Sequence, residues 1–238
     1  MSTDRAYDNS SRAEAALATR RRIIDAAREM LLRDGYHAMS VSQLATSAGV
    51  SAQTVYNAIG GKAAVVKAVY DVLLVGDDEP VAMQDRPEFR AMSQAPDREG
   101  FVRAYSALCA TIYERVGPLL GVLLAQGAGG DAGLQEFVAT IDRERRVGNT
   151  NALNALGRAH GLPAQLDRER FIDIVWTVTA PEIYDRFVRR SGWTHTMYAA
   201  WLAEALVAVF DRASAGRPEG VELAGPAGRA AAAAAQED

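Results

Sequence analysis

The stretch Met39–Val65, MSVSQLATSAGVSAQTVYNAIGGKAAV, decides the fold. Its first half reads as a short helix. Ser40 or Ser42 can cap it, and Val41, Leu44, Ala45 and Ala48 recur at three and four. Gly49 supplies the left-handed residue that stops it. Ser51 caps a second helix, with Val55, Ala58 and Ile59 on one side and Gln53, Thr54, Tyr56 and Asn57 on the other. Two short helices joined by a tight Gly-containing turn are the layout of a helix-turn-helix, whose second helix lies in the major groove of DNA. The spacing by itself also suits two helices that simply pack. The flanking charge favours DNA: Arg20, Arg21 and Arg22 stand at the start of a long amphipathic segment, and Lys62 opens the next helix.

A set of spaced positions adds to this. Thr19-Arg20, Ile23-Ile24-Asp25-Ala26-Ala27, Asp34-Gly35-Tyr36, Ser40-Val41, Leu44-Ala45, Ala48-Gly49-Val50-Ser51, Thr54-Val55-Tyr56 and Lys62 together resemble the N-terminal domain of TetR-type transcriptional regulators. One departure stands out. That family usually carries His or Tyr and then Phe two and three positions after the Tyr, where this chain has Asn57-Ala58-Ile59. Ile59 can still fill the core, but Ala58 cannot make the phosphate contact that the resemblance implies.

The 238 residues suffice for one large or two modest domains. With 49% hydrophobic residues and a net charge of −4, the composition is that of a globular chain. Residues 1–70 carry nine Lys and Arg against six Asp and Glu, the remainder 17 against 24. A cationic head on an anionic body suits a DNA-reading module joined to a part that does not touch DNA. The single cysteine, Cys109, excludes an internal disulfide framework and a multi-cysteine metal site. The polar start lacks the apolar core of a signal peptide, and no run reaches the roughly 18 apolar residues of a membrane span. The expectation is a cytoplasmic protein with no membrane partner.

The architecture expected is all-α, with about nine helices. Residues 1–12 read as a flexible polar arm. Residues 13–61 form the helix-turn-helix domain, its first helix running from about Ala13 to Arg33. Residues 62–212 form a helical ligand-binding and dimerisation domain, and the Ala-, Gly- and Pro-rich 213–238 a disordered tail. Within the body, Lys62 begins a helix ending near Val75, and Gly76–Pro96 reads as a loop with at most one short turn at Glu88–Met92. Asp97 caps a helix to about Val116, and Pro118 starts a separate short one over Leu119–Ala125. Further helices begin at Asp131, near Asp167 and at Thr194, with Pro181 kinking or dividing the second of these. The Asp142–Arg146 run, DRERR, reads as a solvated face.

No catalytic constellation is apparent. His37, His160 and His195 lie on different elements, so no metal site is expected, nor is a cofactor, and an enzyme is not. Gln53, Thr54 and Asn57 are the candidates for base edges, since Gln and Asn suit adenine and Thr a thymine methyl. Ser42, Tyr56, Lys62 and Arg20 to Arg22 are candidates for phosphates, with Ser51 at the helix start beside them. The resemblance implies an effector cavity, for which Tyr105, Cys109, Tyr113, Leu120, Leu124, Phe137, Ile141 and Trp176 are the candidates, against the alternative of plain core packing. It also implies a four-helix interface between subunits. Phe171, Ile174, Val175, Tyr198, Trp201, Leu202, Ala205, Leu206 and Val209 are the candidates, on two aromatic-rich stripes that exceed what one short bundle needs.

The function expected is that of a homodimeric regulator of a palindromic double-stranded operator. The favoured form is a repressor relieved by a small, largely apolar effector. An activator or an effector-independent DNA binder is the alternative, and a helical carrier or enzyme with a vestigial head a more distant one.

Overall fold

The computed structural model describes residues 3–76, 86–127 and 130–214, and the side chains of 12–76, 86–127 and 130–212. Among these there are ten helices and no strand: α1 (Thr3–Asp34), α2 (Val41–Ala48), α3 (Ala52–Ala58), α4 (Lys62–Val75), α5 (Pro87–Ser93), α6 (Arg98–Gly127), α7 (Ala132–His160), α8 (Arg168–Val178), α9 (Pro181–Tyr184) and α10 (His195–Ser214). A π-helical turn, Asp185–Arg190, continues α9.

The head forms as its sequence dictates. Ser40, not Ser42, caps α2, and Gln43 reaches back to complete a reciprocal capping box. Gly49 closes α2 at φ 66°, a left-handed conformation that side chains resist. Ser51 accepts from the Thr54 N–H at 3.0 Å and starts α3. Leu44, Ala45, Ala48 and Val55 then meet Ile23, Ala27, Met30 and Leu31 of α1 in one buried cluster.

α6 is the axis of the body, with α10, α4, α5, α7, α1 and α9 packed on it. It is long and apolar enough in composition to cross a membrane. Phe101, Tyr105, Val116, Leu119 and Leu123 belong to the buried core around it.

Three expectations are corrected. α1 begins at Thr3, so the proposed arm over 1–12 is helical wherever it is described. No Gly or Pro interrupts Thr3–Asp34, and a helix anchored by its packed half extends at small cost. Residues 87–93 form a helix with Pro87 in its first turn, where a missing N–H costs nothing. Pro118 lies inside α6 rather than opening a new helix. Its ring is on the exposed side, while buried Val116, Leu119 and Leu120 pin both flanks. Pro181 does divide α8 from α9. Most of the expected tail, 215–238, and the middle of the expected loop, 77–85, lie outside the described residues.

Head and body meet at Tyr36. Its backbone N–H donates to Oε1 of Gln126, on the last turn of α6, at 2.7 Å. The Lys62 ammonium sits 4.0 Å from the centre of the Tyr36 ring. Asp131, which caps α7, comes within 3.9 Å of His37.

Candidate functional site

Two sites emerge, a polar face on α3 and a cavity in the body. On α3, Val55 is fully buried, whereas Gln53, Tyr56 and Asn57 point to solvent, Tyr56 with 53% of its surface exposed. One helical turn separates Gln53 from Asn57, and the Gln53 amide donates to Asn57 Oδ1 at 2.9 Å. The two amides thus form a pre-set pair with further donors and acceptors to spare. Thr54 is half-buried, and its hydroxyl lies 2.8 Å from that of Ser51, so both belong to the helix cap. Ser42 is exposed at the start of α2, and Arg21 and Arg22 are exposed on α1.

Arg20 occupies a different place from the one expected. It is half-buried, and Nη1 donates to the backbone carbonyl of Ala58 at 3.1 Å. The last carbonyls of a helix lack partners within it, and Gly60, just past the end of α3, returns its N–H to Val55 and leaves the Ala58 carbonyl to a side chain. Arg20 therefore caps α3 from α1 and braces the reading helix. Lys62 is likewise engaged: burial lowers its pKa, while Asp131 acts to raise it.

The cavity encloses about 640 Å³ between α4, α5, α6 and α7 and the end of α8. Tyr105, Cys109 and Tyr113 line it as expected, with Leu108 and Ile112 of α6 beside them. Phe89 and Met92 of α5 form a second apolar wall and Leu74 of α4 a third. Leu120, Leu124, Phe137, Ile141 and Trp176 do not line it. Leu120, Phe137 and Ile141 are in the core and Leu124 packs on it. Trp176 turns its indole N–H to the carbonyl of Asp142, 3.3 Å away. Helical spacing sets which positions face inward but not whether they meet a void or a neighbour.

Polar lining groups from α7 escaped the sequence reading. Arg145 belongs to the run expected to be solvated, yet only 11% of its side chain is exposed. It donates to Asp142 at 2.8 Å and to the carbonyl of Trp176 at 2.7 Å. Its neighbour Arg146 instead ties α7 to Asp173 and Glu169 of α8. Beyond Arg145, a polar chain crosses the cavity wall. Tyr105 donates to Asn149 Oδ1 at 2.8 Å, Asn149 to Thr179 Oγ1 at 3.3 Å, and Tyr113 to the carbonyl of Thr179. Burial keeps Tyr105 and Tyr113 neutral and pushes the Cys109 thiol up to about 12, so these groups act as neutral hydrogen-bonding groups. The signal for the α7 wall was the spacing 145, 149, 152, which continues the inward stripe of Ile141.

The subunit-interface candidates divide by burial. Phe171, Val175, Tyr198, Leu202 and Leu206 are buried in the core of the single chain. α8 and α10 close on the body with their most apolar sides, Phe171 against Phe210 with ring centres 4.3 Å apart. Ile174, Trp201, Ala205 and Val209 remain half-exposed, and Met197 is 49% exposed.

Residues 23–69 match a family model described as "Bacterial regulatory proteins, tetR family". No curated protein matches the chain. Solved structures do match in fold. The fatty acid degradation regulator FadR from Bacillus halodurans is 16% identical, with a TM-score of 0.59 over 79% of this chain and 94% of that one. The SmeT–triclosan complex is 18% identical, with a TM-score of 0.59 over 88% and 99%. A transcriptional regulator from Rhodococcus sp. Rha1 is 12% identical, with a TM-score of 0.53 over 84% and 99%.

Proposed function

We propose that this chain, whose residues 23–69 match the tetR family model, is a regulator of that family and acts as a homodimer. The dimer represses transcription by holding a palindromic operator and releases it when a small molecule enters the body. The observation that carries this is the division of α3: Val55 is sealed in the head while Gln53, Tyr56 and Asn57 stand clear on the other side. A helix so placed can enter a major groove without exposing core. Gln53 and Asn57 read base edges, and Ser42, Tyr56, Arg21, Arg22 and Lys62 meet phosphates, which supply register and salt dependence.

The ligand reading is supported by the cavity. Its volume falls within the range of about 300–1,000 Å³ usual for small-molecule sites, and its walls are mainly apolar with a few polar groups. SmeT is a neighbour in fold whose structure holds triclosan. α4 borders the cavity with Tyr70 and Leu74 and begins at Lys62 beside the head, so a ligand that shifts α4 changes the spacing of two heads. By linkage, ligand and operator then weaken each other equally. The dimer uses the outer sides of α8 and α10, with Ile174, Trp201, Ala205 and Val209 at the contact.

The test is a binding titration of the full chain with its gene's own upstream DNA and a scrambled duplex, at 50 and 200 mM salt. Operator affinity should exceed scrambled affinity by about a thousandfold or more and fall steeply with salt. Equal affinity for both duplexes would sink the reading.

A further inference from the structure

Three charged side chains line the cavity, and two are neutralised within the protein. Glu144 pairs at 3.0 Å with Lys67 of α4, which Asp71 shares at 2.6 Å, and Arg145 pairs with Asp142 at 2.8 Å. Arg158 has no carboxylate within ion-pair distance among the described residues. One turn before it on α7, Asn154 also lines the cavity and accepts at Oδ1 from Nη2 of Arg168, 2.6 Å away. Arg168 opens α8 and also pairs with no carboxylate among the described residues. Two exposed guanidinium groups without a carboxylate partner, Arg158 on the lining and Arg168 at the rim just outside it, therefore stand at the Asn154 end. Fourteen residues of α7 separate Glu144 from Arg158, a distance of about 21 Å at the helical rise of about 1.5 Å per residue. The cavity is thus a long slot, with two carboxylates sharing one ammonium at the Glu144 end and a positive charge at the Arg158 end. Leu108, Ile112, Phe89 and Met92 supply apolar walls.

We propose that the slot takes an amphipathic monoanion, its anionic head at Arg158 and Arg168 and its apolar body against α5 and α6. The proposal rests on the effector reading above and adds the chemical class of the effector. A planar guanidinium favours a carboxylate or similar oxyanion through two parallel N–H donors. A cationic head at the same place meets two like charges, and a neutral head leaves both exposed guanidinium groups to solvent and gains no charge-assisted hydrogen bond. The apolar body contributes by removing surface from water in all three cases, so the head decides the discrimination.

Calorimetry with decanoate, decanol and decylamine isolates that term, because the chain is the same and the head changes sign. Wild-type protein should bind decanoate at least tenfold tighter than decanol, with decylamine weakest. Arg158→Gln together with Arg168→Gln should bring the decanoate-to-decanol ratio close to one while leaving decanol affinity unchanged. Gly148 lines the slot, and a Cβ added there meets no atom within 4 Å. Gly148→Phe should therefore fill the slot and weaken decanoate at least tenfold, with helical content and melting temperature retained. The proposal is overturned by a wild-type ratio near one, by a ratio that the double substitution leaves unaltered, by full binding in Gly148→Phe, or by no binding of any of the three. A parallel DNA titration separates it from the regulatory reading: decanoate that binds as expected without releasing operator supports the ligand class and removes the switch.

Discussion

The Arg20 guanidinium donates to the carbonyl of Ala58 at 3.1 Å, so the first helix of the chain holds the end of α3, the helix proposed to enter DNA. This contact spans 38 positions and stands at the residue where the resembling family places a phosphate-contacting side chain. The orientation of α3 therefore depends on a side chain of α1 as well as on the cap at Ser51. Arg20→Ala should weaken operator and scrambled DNA alike and lower stability by about 1–2 kcal/mol, as expected for a charged donor at a helix end. Chemical denaturation alongside the DNA titration checks both halves. A loss confined to the salt slope, with stability unchanged, would return Arg20 to the phosphates.

Gln53 and Asn57 already bond to each other in the free protein, and in the proposed function they act as one reading unit. Each single alanine substitution should reduce discrimination by about 1–3 kcal/mol at particular base pairs. The double substitution should cost less than the sum, because the second change removes a group the first has already disoriented. A panel of single-base operator variants measures this, and strict additivity would show that the two amides read independently.

Lys62 shares its charge between the Tyr36 ring and the solvent side of α4. Lys62→Met should flatten the slope of log affinity against log salt by about 0.9, the share of one phosphate contact. It should also cost about 0.5–1 kcal/mol of stability through the lost cation–π contact. An unchanged salt slope would confine Lys62 to the junction of head and body.

Burial raises the Cys109 thiol from its ordinary 9.0 to about 12, with the Tyr105 hydrogen bond opposing the rise. Because the folded value is the higher one, the folded chain keeps this proton where the unfolded chain releases it. The corresponding stability is complete below about pH 9 and is lost as pH climbs towards about 12, at up to about 1.4 kcal/mol per pH unit. Tyr70, Tyr113 and Tyr198, also raised by burial, steepen the loss above pH 10. Cys109→Ala should flatten the denaturation midpoint between about pH 9 and 10, where the thiol alone contributes. An identical slope in the two proteins would place the thiol in contact with water.

The proposed subunit interface admits a contrast within one helix. Ala205 is half-exposed on α10 and Leu202, one turn earlier, is fully buried. Ala205→Arg should yield a folded monomer by sedimentation, with operator affinity reduced and circular dichroism unchanged. Leu202→Asp should unfold the chain, since it places an unpaired charge in the core. A dimeric Ala205→Arg protein would move the interface away from α10.

The sequence by itself determined the head. Ser40, Gly49 and Ser51 cap their helices through atoms at most a few positions away, and the buried sides of α2 and α3 follow from helical period alone. Interactions this local leave little for the rest of the chain to decide. The all-helical body was legible for the same reason, in stripes such as Phe101, Tyr105 and Leu108. Only the tertiary structure decided what those stripes touch. It buried all six of Leu120, Phe137, Ile141, Tyr105, Cys109 and Tyr113, yet only the last three border a void, although all six share the same apolar period. It turned Arg145 inward out of a charged run, sent Arg20 to Ala58, and kept Pro118 within one helix by packing on both flanks. Each of these is a balance between desolvation and a partner distant in sequence. That balance has no local signature, because the partner is chosen by how whole helices pack.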